Sequence, residues 1–211
     1  MTDLAEPGRV ARAQLETKHA AREAALRLSR SSIRASANAI RAAHRGDLGT
    51  ATERLTESQA DLRAAIAACE AQPAVRWAGF VHDAEKEYAE ARATYAALAG
   101  DPVPGLDEMG VDAAAWLNGL AETIGEIRRH LLDRLRHGEI QRCEALLAEM
   151  DEIYALLVTI DFPDGITSGL RRSTDVARSI LERTRGDFTT ALLQDRLRDA
   201  LETHRSDVLD T

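Results

Sequence analysis

The stretch "LRLSRSSIRASANAIRAAHRGD", residues 26–47, decides the fold. Leu26, Ile33, Ala37 and Ile40 recur at heptad-like spacing and draw one seam along an α-helix. One residue behind them, about 100° around the helix, follow Arg27, Arg34 and Arg41, and Arg30 and Arg45 extend that strip. A helix with one apolar seam and one basic strip must bury the seam against a neighbour. Gly46 closes it, so the pattern predicts a helix from about Pro7 to His44.

Further helical segments follow downstream, without a sequence repeat. The spacing predicts helices over Leu48–Ala71, ending before Pro73, and over Val75–Leu98. "GDPVPGLDEMG" (100–110) reads as an ordered surface turn, since its length and its prolines and glycines suit a connection within one domain. A fourth helix is expected over Asp112–Arg136 with Asp112 as N-cap, closed by Gly138. A fifth, Glu139–Ile160, is amphipathic through Ile140, Leu146, Leu147, Ile153, Leu156 and Leu157. "DFPDG" (161–165) breaks the chain, and two more helices follow, divided near "RGD" (185–187). Ala and Leu dominate the apolar residues, and with Arg, Glu and Gln they are the strongest helix formers. The expected fold is all-α: an elongated antiparallel bundle of about seven helices, forming a single domain over residues 1–211.

Cys69 and Cys143 fall inside predicted helices without metal-type spacing, which suits a reduced, cytoplasmic protein. "MTDLAEPGRVARAQ" has no apolar signal core, and no stretch has membrane-spanning length. The net charge of −8 is unevenly spread: Arg9–Arg45 holds nine Arg or Lys against Glu16 and Glu23, so this segment carries +7 and the rest −15. Such asymmetry marks a basic binding surface on an acidic body. Aromatic residues are nearly absent from the first helix, so contacts there go to phosphates rather than to stacked bases.

The third helix poses a second question. "DAEKEYAEA" (83–91) stacks Asp83, Glu87 and Glu90 on one stripe, where like charges repel. The fourth helix has a counterpart in "LNGLAETIGEIRRH" (117–130), with Glu122 and Glu126 one turn apart. If the two faces meet, four carboxylates converge, at a cost that a cation relieves. Oxygen-only ligation favours Mg²⁺, Mn²⁺ or Ca²⁺, and a hard metal so held activates water for attack on a phosphodiester. Glu-x-x-Glu pairs are also common on solvated helix faces, and periodicity does not decide between the two. A ferritin-like di-metal bundle needs Glu-x-x-His on two helices; the nearest match, Glu126 to His130, is one residue too long. His82 and His130 flank the acidic segments but read as partly exposed polar residues, and no zinc, Walker or nucleophile-elbow motif is present.

Taken in order, residues 26–47 with "KEYAEA" (86–91), "GVDAAAWLNGLAETIGEIRR" (110–129), "MDEIYALL" (150–157) and "DFPDGITSGLRRSTDVARSILERTRGD" (161–187) resemble the translin/Trax family. The resemblance covers roughly residues 20–190. It implies an all-α subunit of about seven helices that assembles into hollow octamers enclosing RNA or single-stranded DNA. Translin-type subunits bind nucleic acid through basic residues of the early helices, here Arg27, Arg30, Arg34, Arg41 and Arg45. Trax-type subunits add a Mg²⁺-dependent endoribonuclease site. "EYAEA" stands where Trax has "EYVEA" and supplies Glu87 and Glu90; "GLAETIGEI" stands where it has "GVADLTGEL" and supplies Glu122 and Glu126. Glu122 replaces the family's Asp, which keeps the charge and lengthens the arm by one methylene. The resemblance therefore implies a compact prokaryotic Trax-like endoribonuclease using Mg²⁺ (or Mn²⁺). It would act as a homo-oligomer with no separate translin partner and no membrane association. The alternatives are a non-catalytic translin-like RNA or single-stranded-DNA binder, and a helical scaffold.

Overall fold

The computed structural model describes residues 4–209. These residues form nine helices and no strand. Six helices are long: α1 (Ala5–His44), α2 (Leu48–Ala68), α4 (Phe80–Ala99), α6 (Ala113–Arg136), α7 (Ile140–Leu157) and α9 (Leu170–Leu209). Three are single turns: α3 (Pro73–Arg76), α5 (Leu106–Met109) and α8 (Asp164–Thr167). The all-α class holds. No helix among the described residues is long and apolar enough to cross a membrane. The residues divide into two compact units after Leu120, and α6 runs unbroken through the point of division.

In the first unit α1 packs along α2 and α4. Its buried residues are mostly small: Ala25, Ser29, Ser32, Ala35, Ser36, Ala39, Ala42 and Ala43, with Ile40. This corrects the seam expected from the sequence, since Leu26, Ile33 and Ala37 are only half-buried. Small side chains let helices approach closely, and the hydroxyls satisfy one another. Ser58 of α2 donates to the Ser32 carbonyl at 3.1 Å, and its own oxygen lies 2.9 Å and 2.8 Å from the Ser32 and Ser36 hydroxyls. A hydropathy pattern scores serine as surface, yet a paired serine is cheap to bury.

The helix ends follow local chemistry. Asp47 caps α2 by accepting from the Thr50 N–H at 3.1 Å, and Asp112 caps α6 as expected, accepting from the Ala114 N–H at 3.0 Å. The expected start of the third helix at Val75 is displaced to Phe80. The chain leaves α3 through Gly79, whose φ of +97° suits glycine and breaks the helix. Segment 100–110 is ordered, with Met109 buried and the Trp116 indole N–H donating to the Pro104 carbonyl at 3.1 Å.

In the second unit α7 lies against α9 around Leu146, Met150, Ile153, Leu157, Leu170, Ala177 and Leu181. The division expected near Arg185–Asp187 is absent, because α9 is continuous from Leu170 to Leu209. One glycine inside a helix costs only about 1 kcal/mol, and this turn is anchored on both sides. Arg128 of α6 donates to Thr184 at 2.9 Å and to Asp187 at 2.7 Å, and Thr184 and Phe188 are buried.

Candidate functional site

Two features carry chemistry, one acidic and one basic. On α4, Tyr88, Ala89 and Ala91 are buried, which leaves Glu87 and Glu90 half-buried at the edge of the packed face. On α6, Gly119 packs directly on α4; a Cβ there would meet Ala89 Cβ at 2.8 Å and the Glu90 nitrogen and Lys86 carbonyl oxygen at 2.9 Å each. The two backbones therefore touch beside Glu87 and Glu90. Glu122 follows one turn later on the same helix face. Carboxylate oxygens of Glu87, Glu90 and Glu122 lie within 4.8 Å of one another.

The donor set, three carboxylate oxygens, bounds the class of ion the cluster could hold. Mg²⁺ takes oxygen ligands at about 2.1 Å, so two ligands on opposite sides of it stand about 4.2 Å apart. Three hard oxygens within 4.8 Å fit such a cation with small rotamer adjustments, and they supply no soft ligand for zinc or copper. Lys86 Nζ lies 3.4 Å from Glu87 and offsets one charge. Glu126 is outside the group of three and approaches Arg129 at 3.6 Å. Asp83, the first member of the acidic stripe, is exposed and also outside the group.

Glu85, two residues before Glu87, matches no motif in the sequence, yet the structure gives it a part. It is 1 % exposed and its Oε1 accepts from Arg76 at 2.6 Å. Burial pushes its carboxyl above the ordinary range, and the Arg76 hydrogen bond pulls the other way. The same oxygen lies 3.4 Å from the Asp112 N–H, so one carboxylate links α3, α4 and the start of α6. The sequence signal for it is its phase: it falls on the buried side of α4, away from Glu87 and Glu90.

The basic strip is intact. Arg27, Arg30, Arg34, Arg41 and Arg45 are all exposed, and at 100° per residue they fall within an arc of about 60° over roughly 27 Å of helix. Before the strip, two of the α1 cations are paired, Arg9 with Glu6 and Arg22 with Glu23, at 2.5 Å each. Along the strip, none of the five forms a salt bridge among the described residues, and Arg41 donates to the Asn38 amide oxygen at 2.6 Å. Arg45 lies near enough to Asp47 to help lower its pKa, and the five exposed guanidiniums, none in a salt bridge, present charge available to an external anion.

No family model matches the chain. Over 190 residues it is 28% identical to an uncharacterized protein of Methanocaldococcus jannaschii, MJ0175, covering 89% of this chain and 84% of that one. Among solved structures, AfC3PO in complex with duplex RNA is 33% identical, covers 88% of this chain and 96% of its own, and superposes with a TM-score of 0.81. The crystal structure of AfC3PO gives the same identity and TM-score over 97% of its chain. Apo-NeC3PO, at 21% identity over 90% of this chain and 98% of its own, shares the fold with a TM-score of 0.73.

Proposed function

The chain belongs to the translin/Trax family, and on that premise we propose that it is an RNA-binding, divalent-cation-dependent endoribonuclease that works as a homo-oligomer. The observation that carries the reading is the convergence of Glu87, Glu90 and Glu122 within 4.8 Å on α4 and α6. Binding of RNA is supported by the exposed arginine strip, whose guanidiniums form no salt bridge among the described residues, and by the likeness to a protein solved with duplex RNA.

The residues divide the work. Arg27, Arg30, Arg34, Arg41 and Arg45 hold phosphates along α1 and set the register of the strand without reading bases. Glu87, Glu90 and Glu122 would hold Mg²⁺ or Mn²⁺, and Glu126, one turn beyond Glu122 and 3.6 Å from Arg129, would be the nearby fourth carboxylate. The bound cation supplies neutralisation of phosphoryl charge and an acidified water. Lys86, beside Glu87, limits the negative charge that an approaching phosphate meets. Leu193, Leu197 and Leu201 form an exposed apolar stripe on α9, 59 %, 61 % and 60 % exposed, of the kind that subunit contacts cover. A closed shell, an octamer by family likeness, would face the basic strip inward and let a chain of net charge −8 enclose RNA or single-stranded DNA.

A second reading rests on Glu122, where the family's catalytic subunits have Asp, and on Glu126, which stands outside the group of three. It keeps nucleic-acid binding and drops cleavage. Incubation of labelled single-stranded RNA with Mg²⁺ or Mn²⁺ separates the two. Cleavage by the parent and not by Glu122→Ala or Glu87→Ala supports the enzyme; binding without cleavage by the parent supports the second reading. A parent with no affinity for RNA even at low salt contradicts both.

A further inference from the structure

The chain has two tryptophans, and they are placed differently. Trp116 is half-buried, with its indole N–H on the Pro104 carbonyl. Trp77, just after α3, is 66 % exposed, although tryptophan is mostly buried in folded proteins. Its ring borders a cavity of about 590 Å³ between the C-terminal end of α2 and α3, inside the first unit. Ile66 and Pro73 give the cavity apolar walls, and its charged groups are Arg63, Glu70 and Arg76. A mostly apolar cleft of that volume with a few polar groups is what small-ligand sites have in common.

The arginines leave donors unmet there. Arg76 donates through Nη2 to Glu85 at 2.6 Å and lies over the Trp77 ring, 4.7 Å from its centroid. Its Nη1 is buried and has no hydrogen-bond partner. A buried donor without an acceptor is destabilising, and a ligand oxygen relieves it. Arg63 is exposed and forms no salt bridge among the described residues. Glu70, also exposed, is the one carboxylate of the lining.

These groups select a ligand with a flat ring and an anionic end. An exposed indole offers a face on which any nucleobase stacks. Guanidiniums match phosphate oxygens, and a carboxylate accepts from the amino edge of a base. An inorganic anion would use the arginines and leave the indole in water. An uncharged apolar ligand would leave Nη1 of Arg76 unmet.

We propose that the cavity between α2 and α3 is a nucleoside-phosphate site, where a base stacks on Trp77 and its phosphate meets Arg63 and Arg76. A free mononucleotide and an unpaired residue of an RNA strand carry this same chemistry. The site adds base contact to a protein whose α1 strip meets phosphates alone. It depends neither on that strip nor on the acidic cluster.

The test is tryptophan fluorescence of the whole chain in EDTA, titrated with AMP, adenosine and inorganic phosphate. AMP should quench the parent saturably, and Trp77→Leu, whose remaining signal is that of Trp116, should lose the quench. Arg63→Gln should weaken AMP by about tenfold, the scale of one charged hydrogen bond, and leave adenosine within about twofold. Arg54→Gln, on the same helix but already paired with Glu57 at 2.6 Å, should match the parent, as should Arg34→Ala on the α1 strip. A short single-stranded RNA then separates the two sources. RNA binding weakened by saturating AMP puts an unpaired residue of the strand in the cavity; RNA binding indifferent to AMP leaves the cavity to the mononucleotide, and both uphold the site. No saturable quench at millimolar AMP, a quench that survives Trp77→Leu, or phosphate binding as tightly as AMP overturns it. So does an indole that acrylamide cannot reach in the unliganded parent, because a second subunit then covers Trp77. If Trp77→Leu does not fold, Arg63→Gln decides: unchanged AMP affinity, or equal loss of AMP and adenosine, overturns the proposal.

Discussion

Arg76 and Glu85 form a 2.6 Å ion pair in which the carboxylate is 1 % exposed and the guanidinium 17 %. The pair fixes the single turn α3 to the helix that carries Glu87 and Glu90, and Glu85 also faces the N-terminus of α6. Arg76 in turn stacks on Trp77, 4.7 Å from the ring centroid. The corner before α4 thus combines this buried polar pair with an apolar cluster of Ala25, Cys69, Val75 and Val81, and the contribution of the pair depends on pH.

Burial raises the Glu85 carboxyl above the ordinary glutamate value of about 4.3. The folded state then holds its proton more tightly than the unfolded state. The stabilising contribution is complete below the unfolded pKa and is lost as pH climbs through the raised folded value. Glu85→Gln should remove that slope, giving flatter stability above about pH 4.3 in denaturant titrations at stepped pH. Arg76→Ala strands the carboxylate and should cost about 3 kcal/mol near pH 8, and less in mild acid, where the group protonates more readily.

The arginine strip predicts a salt signature. Arg34→Ala and Arg41→Ala should each weaken RNA binding. Each should also reduce the slope of log affinity against log salt by about 0.7–0.9 for every phosphate the removed guanidinium neutralised. Arg9→Ala, whose guanidinium already pairs with Glu6 at 2.5 Å, should leave the slope unchanged. Fluorescence anisotropy across a salt series measures both.

Continuity of α9 predicts that Gly186→Ala stabilises the protein by about 0.5–1 kcal/mol, because nothing lies within 4 Å of the added methyl and the backbone is already helical. Destabilisation in thermal unfolding would place a break where the structure shows none.

Cys143 is fully buried, and burial pushes its thiol up to about 11. It should resist a thiol-specific reagent in mildly alkaline buffer while the protein is folded and react fully in denaturant. Cys69, also buried and raised by burial, should behave alike.

Much of the fold is legible in the sequence, for identifiable reasons. Gly46, Pro73, Gly100 and Gly138 mark helix ends because each is a backbone constraint written into one residue. The capping role of Asp112 is legible for the same reason. The arginine strip is legible because a helix fixes the angle between residues 27 and 45 regardless of tertiary context. The buried face of α1 is not, because serines 29, 32, 36 and 58 look like surface residues, and the pairing that lets Ser32, Ser36 and Ser58 go inside exists only once the helices pack. The continuity of α9 is hidden because Arg128, which ties Thr184 to Asp187, lies 56 residues before Thr184. That Glu87 and Glu90 come near Glu122 depends on the close approach of Gly119 to α4 at Lys86–Glu90. Gly119 is the residue that permits it, and a lone glycine in a helix does not announce its neighbour.

If Glu87, Glu90 and Glu122 together hold a hard divalent cation, anomalous diffraction from crystals equilibrated with Mn²⁺ will reveal it most directly. One strong peak per subunit should lie about 2.1 Å from carboxylate oxygens of all three residues, and it should vanish in Glu122→Ala crystals. Crystals that diffract well in millimolar Mn²⁺ with no peak there, or with the peak on other residues, would refute the cation site.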